Sequence, residues 1–79
     1  MKSEIILGYI ITKYREDLGI TQEELAHKCQ VDRSYVGRIE RGERNPTINM
    51  LLKLALGLEV SASFLIQELE KELGDNGGL

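Results

Sequence analysis

The sequence predicts an all-α fold, a compact bundle of five helices in a single domain. Three observations lead there. Apolar residues recur at three- and four-residue spacing, and no stretch shows the alternation of a strand. The breaks between these stretches carry residues that start and stop helices. A chain of 79 residues leaves room for one hydrophobic core and little more.

The elements follow in order from that punctuation. Ser3 is a cap candidate for a first helix whose apolar positions are Ile5, Ile6, Tyr9, Ile10, Tyr14 and Leu18. Gly19 stops it, because glycine accepts the left-handed backbone at a helix end. Thr21 with Glu24 three residues on forms a capping box for a second helix, which turns Leu25, Ala26 and Cys29 inward and ends near Gln30. Asp32 is the cap candidate for a third helix from about Arg33 to Arg41, with Val36 and Ile39 inside and Gly42 as its stop. Arg44-Asn45-Pro46-Thr47 reads as a loop ending in another cap. The fourth helix carries Ile48, Leu51, Leu52, Leu54, Ala55 and Leu58. Ser61 caps a fifth, with Ala62, Leu65, Ile66, Leu69 and Leu73 along one stripe; Gly74 closes it, and residues 74–79 read as a frayed tail.

Composition excludes several classes of function. One Cys allows no intrachain disulfide, and one Cys with one His cannot assemble a four-ligand zinc site. No metal or other cofactor is expected. No apolar run approaches the ~18 residues of a membrane span, and the N-terminus lacks a secretory pattern, so the expected location is the cytoplasm. With no metal cluster and no glycine-rich phosphate loop, an enzyme is not expected.

Charge needs more care. The net charge of −3 and pI near 5.1 argue, taken as totals, against a nucleic-acid partner. The distribution argues the reverse. Residues 1–32 carry −2 and residues 46–79 carry −3, whereas residues 33–45 carry +2. Four of the five arginines, Arg33, Arg38, Arg41 and Arg44, fall within twelve consecutive residues. Local field, not total charge, steers a polyanion, and the guanidinium fork suits phosphate and guanine.

The position of that cluster matters. Only Gln30-Val31-Asp32 separates the second helix from the third, the spacing at which one helix lies across a DNA groove while the next enters it. With Val36 and Ile39 inward, Arg33, Ser34, Gly37, Arg38 and Arg41 share the outward side. Among the neighbours, Cys29 reads as a small buried hydrophobe and His27 as an exposed side chain. Tyr35 reads as packing or as a phosphate contact. Glu40 reads as a partner of Arg44 four residues on or as a support for Arg41.

Thr21-Gln22-Glu23-Glu24-Leu25-Ala26, Val31-Asp32-Arg33-Ser34-Tyr35-Val36 and Ile39-Glu40-Arg41-Gly42 together resemble the phage-repressor-like (XRE) helix-turn-helix family. Arg44-Asn45-Pro46-Thr47, Leu51-Leu52-Lys53-Leu54-Ala55 and Leu58-Glu59-Val60-Ser61 extend the match over roughly residues 5–70. The resemblance implies the five-helix lambda-repressor-like domain, with the helix-turn-helix at about 21–41. It further implies base reading by Arg33, Ser34 and Arg38, and backbone contacts from Gln22, Tyr35, Arg41, Arg44 and Asn45. In relatives the dimer contact lies on the last helix, here about 62–73, where Phe64, Leu65, Ile66, Leu69 and Leu73 offer apolar surface. The implied partners are a palindromic operator in double-stranded DNA and a second copy of the chain.

Within the family, the size resembles the controller proteins of restriction–modification systems. That likeness implies a transcription regulator with no small-molecule effector. It also implies a contact with RNA polymerase, for which Glu23 and Glu24 are the candidate surface; a capped first turn explains the same two residues. A short phage or prophage repressor and an autoregulating antitoxin are the alternatives. In a different class stands a protein-interaction module of the same fold without DNA binding.

Overall fold

The computed structural model describes residues 2–75 and contains, among them, five helices and no strand: α1 (Ser3–Asp17), α2 (Gln22–Cys29), α3 (Arg33–Glu40), α4 (Ile48–Leu58) and α5 (Ala62–Asp75). Each boundary has a local cause. The Thr21 hydroxyl accepts from the Glu24 amide at 3.0 Å while the Glu24 carboxylate accepts from the Thr21 amide at 2.9 Å, closing the capping box at the start of α2. Thr47 accepts from the Met50 amide and Ser61 from the Phe64 amide, capping α4 and α5. Asp32 takes the N-cap position of α3, but its side chain makes no capping bond. The N-cap of α1 is Lys2, again without a side-chain bond, and Ser3 is the first helical residue. α5 continues through Gly74 to Asp75, past the expected stop; the rest of the expected tail, 76–79, lies outside the described residues.

The helices converge on a core of Ile6, Leu7, Ile10, Ile11, Leu25, Ala26, Cys29, Val36, Ile39, Leu51, Leu54, Ala55, Leu58, Leu65 and Leu73. α1 packs against α3 and α5, α2 against α3 and α4, and α4 against α5. Burial of this apolar surface, at roughly 25 cal/mol per Å², is the main force holding α2 and α3 in their relative orientation.

Two helices bury a different set of apolar positions from the one periodicity offers: α1 is turned, and α4 buries a narrower face. In α1 the buried stripe is Ile6, Leu7, Ile10 and Ile11, while Ile5 and Tyr9 are exposed. Ile6 pairs with Leu7 rather than Ile5 because α1 must receive α3 on one side and α5 on the other. In α4, Leu51, Leu54, Ala55 and Leu58 face inward, whereas Ile48 and Leu52 are exposed, and so is Leu56. A helix with this many leucines has more apolar positions than its buried face can use.

Two helical glycines are explained by close approach. A Cβ on Gly8 would lie 2.5 Å from the Ile39 carbonyl oxygen, so α1 meets the end of α3 backbone to backbone. A Cβ on Gly57 would lie 2.6 Å from the Cys29 sulfur, where α4 crosses α2. Burial pushes the Cys29 thiol above its usual pKa, and the thiol donates to the Lys53 carbonyl oxygen at 3.2 Å. No single helix among the described residues is long and apolar enough to cross a membrane.

Candidate nucleic-acid interface

The turn between α2 and α3 is closed by Gln30, whose backbone is left-handed at φ 59°. The Val31 amide reaches back to the Ala26 carbonyl at 3.0 Å and the Gln30 amide to the His27 carbonyl at 3.1 Å. This double closure stops α2 abruptly and sends the chain into α3. At about 100° per residue, Arg33, Ser34, Gly37, Arg38 and Arg41 span an arc of roughly 140°, opposite the buried Val36 and Ile39. Arg33, Ser34 and Arg38 are exposed on that arc, and Arg44 and Asn45 are exposed in the following loop.

Gly37 departs from the outward placement: it is buried. The Arg41 guanidinium lies over it, with Nη1 3.1 Å from where a Cβ would stand, and the Gln22 side-chain oxygen is 3.8 Å from the same point. Glycine here leaves room above the helix for both side chains. Tyr35 is half-buried and packs against the core, so packing accounts for part of its side chain.

Glu40 has neither of its expected roles. Its carboxylate turns inward, with a side-chain exposure of 5%, and receives the Arg15 guanidinium in a fork: Nε to Oε2 at 2.6 Å and Nη2 to Oε1 at 3.2 Å. The remaining arm of Arg15, through Nη1, donates to the Ile20 carbonyl oxygen at 2.8 Å. Gln22 Nε2 donates to Glu40 Oε1 at 2.8 Å. One guanidinium therefore ties the end of α1, the entry to α2 and the end of α3 together, and the carboxylate fixes the Gln22 amide. The bond from Glu40 holds Arg15 above its usual pKa, against the opposing effect of burial.

Arg15 is the functional residue that spacing along the chain did not reveal. Its partner is 25 residues away, and it lies outside the arginine cluster. Its capture of Glu40 also changes the surface charge. With Glu40 neutralised from within, Glu43 is the one carboxylate that residues 33–45 present outward, against four arginines. Glu43 pairs with Arg41, Oε2 to Nε at 2.7 Å, with both side chains more than half exposed. That bond holds the Glu43 carboxyl below its usual pKa, and Arg38 adds to the effect.

Glu23 and Glu24 are exposed on the first turn of α2, with Glu24 engaged in the capping box. The expected dimer stripe on α5 is split by the fold. Leu65 and Leu73 are buried in the chain's own core, and Phe64 packs edge-on to Tyr14 with ring centroids 5.2 Å apart. Leu69 is half-buried, and Ile66 is exposed. Leu65 and Leu73 are therefore not available to a partner surface: the stripe serves the core first. Among the described residues, no group of three or more His, Cys, Asp or Glu side chains could hold a metal ion.

A short helix joined by a three-residue turn to a second whose outer face bears arginines, with a polar network tying both to α1, is the arrangement of a helix-turn-helix DNA-binding domain. Sequence comparison agrees. Residues 11–65 match the helix-turn-helix family model, and the chain belongs to this phage-repressor-like (XRE) family. The control protein C.SmaI of Serratia marcescens is 38% identical over 71 residues, covering 87% of this chain and 84% of the relative. The transcriptional regulator SinR of Bacillus subtilis is 39% identical over 64 residues, covering 80% of this chain. The chain spans 58% of the length of SinR and of a hypothetical transcription factor from Neisseria meningitidis. Among solved structures, the restriction–modification controller protein C.Esp1396I superposes with a TM-score of 0.84 at 39% identity, covering 95% of this chain and 97% of that one.

Proposed function

We propose that this DNA-binding transcription regulator acts as a homodimer on a palindromic operator, as a controller protein of a restriction–modification system. The observation that carries the reading is the outer face of α3. Arg33, Ser34 and Arg38 stand exposed on it, while the Arg15–Glu40–Gln22 network holds the helix at a set angle to α2. Arg33 and Arg38 read guanine through O6 and N7, each good pair supplying about 1–3 kcal/mol of discrimination. Gln22, Tyr35, Arg41, Arg44 and Asn45 hold the sugar-phosphate backbone, which positions the reading helix.

The dimer uses apolar side chains that the last two helices leave outside: Ile66 on α5 beside half-buried Phe64 and Leu69, with Ile48, Leu52 and Leu56 at four-residue spacing along α4. Two-fold pairing through such a face sets two recognition helices about 34–36 Å apart, one turn of DNA. Glu23 is the acidic side chain of α2 that remains for a polymerase contact. The protein works in the cytoplasm, without catalysis and without a small-molecule effector.

Footprinting on the DNA upstream of its own gene tests the reading. Wild-type protein protects two half-sites one turn apart, and Arg33→Ala loses preference at one position in each. Equal losses on operator and scrambled duplex would remove the base-reading role. Equilibrium sedimentation at micromolar protein tests the dimer: Ile66→Glu shifts the mass to monomer, and a wild-type monomer at every concentration would refute it. Methyltransferase and endonuclease genes beside this one distinguish a controller from a phage repressor or an antitoxin.

A further inference from the structure

We propose that Glu43 is a built-in counterion that occupies, in the free protein, the position a DNA phosphate takes on Arg41. The inference deepens the DNA-binding reading and rests on it.

Three features of the chain put the carboxylate there. Gly42 adopts φ +74°, which reverses the chain directly after α3. The Glu43 amide then donates to the Arg38 carbonyl oxygen at 3.0 Å, fixing the Glu43 backbone against the helix end. The turn is wedged against α1, since a Cβ on Gly42 would lie 3.0 Å from the Ile5 Cα. Glu43 is thereby returned beside the arginine two residues before it.

The geometry of Arg41 indicates which part of its fork DNA would use. Its Nη1 lies over Gly37, so the edge carrying Nε and Nη2 is the one turned away from the helix. Glu43 holds that edge, at 2.7 Å through Nε and 3.5 Å through Nη2. A carboxylate and a phosphate present the same pair of anionic oxygens to a guanidinium, so the two compete for one edge. Gln22, the neighbouring backbone contact, lies beside this guanidinium and is held by Glu40. Arg41 thus faces the phosphate track with its charge already answered.

Stability does not explain the pair. Both side chains are more than half exposed, at 60% and 52%, and exposed ion pairs contribute little to folding. Binding is where the carboxylate acts. A free arginine that meets a phosphate releases a condensed counterion, which makes affinity fall with salt. An arginine that must first leave a carboxylate gains less, and the freed carboxylate takes up a cation that offsets the release.

The test is fluorescence anisotropy of wild type, Glu43→Gln, Arg41→Ala and the double variant on the footprinted operator and on a scrambled duplex, across a salt series. Glu43→Gln is expected to bind both duplexes about two- to fivefold more tightly at low salt. Its plot of log affinity against log salt is expected to steepen by up to about one unit. In the Arg41→Ala background the same substitution is expected to give less than half of that gain. An unchanged affinity and slope in Glu43→Gln would overturn the proposal. An equal gain in both backgrounds would also overturn it, because removing any negative charge near DNA would do the same. Failure of wild type to bind either duplex at any salt would instead defeat the DNA-binding reading, along with the inference built on it.

Discussion

Two arginine–glutamate pairs meet at the C-terminal end of α3 at nearly the same contact distance, 2.6 Å for Arg15–Glu40 and 2.7 Å for Arg41–Glu43. Their surroundings separate them. Arg15 and Glu40 have side-chain exposures of 13% and 5%, and every arm of the guanidinium has a partner. Arg41 and Glu43 sit in solvent on a turn. Little water competes for the first pair, and either partner left alone would carry an uncompensated charge inside the protein. The second pair can open at small cost, because water and ions replace it readily. The same two side-chain types thus set the frame of the interface in one place and an exchangeable contact in the other.

The largest expected effect is on the inner pair. Glu40→Ala removes the fork that answers the Arg15 guanidinium, leaving it only the exposed Glu16 at 3.9 Å and the Ile20 carbonyl, and should cost about 3 kcal/mol of stability, read from the urea midpoint at unchanged slope. It also frees Gln22, so DNA affinity should fall even where the variant remains folded. A loss below about 1 kcal/mol would place this pair with ordinary surface pairs, no different from Arg41–Glu43.

Gly8→Ala tests the same joint from the other side. The added methyl meets the Ile39 and Glu40 carbonyl oxygens at 2.5 and 2.7 Å. Prising α1 from the end of α3 should cost about 1–3 kcal/mol, again in urea. The outer pair gives the opposite profile: Glu43→Gln should leave the thermal midpoint where it is and move only DNA binding. The smallest effect lies away from both pairs. Gln30→Gly relieves a left-handed backbone at φ 59° and should add about 0.5 kcal/mol, the strain relieved less the extra freedom of the unfolded chain.

Local features of the fold were legible in the sequence because their causes are local. The capping box at Thr21 and the caps at Thr47 and Ser61 each depend on residues three apart. The outward placement of Arg33, Ser34 and Arg38 follows from Val36 and Ile39 alone. Contacts between distant segments were not legible. Periodicity puts Ile5 and Tyr9 on the apolar stripe of α1, yet the approach of α3 and α5 selects Leu7 and Ile11. The apolar stripe of α5 offers Leu65 and Leu73 to a partner, but the core claims them. Spacing offers Glu40 only partners near it in sequence, while Arg15 comes from another helix. Gly37 looked outward by helical period, and the structure covers it with Arg41. In each case packing between helices decided among positions that periodicity left equivalent.

Whether the exposed face of α3 reads bases is decided by selection of bound sequences from a randomised duplex pool, with wild type and Arg33→Ala in parallel. Wild type is expected to enrich a two-fold symmetric motif with guanine among its preferred bases. Arg33→Ala is expected to enrich the same motif with preference lost at one position in each half. An identical motif from both proteins, or no enrichment by wild type, would contradict base reading by this face.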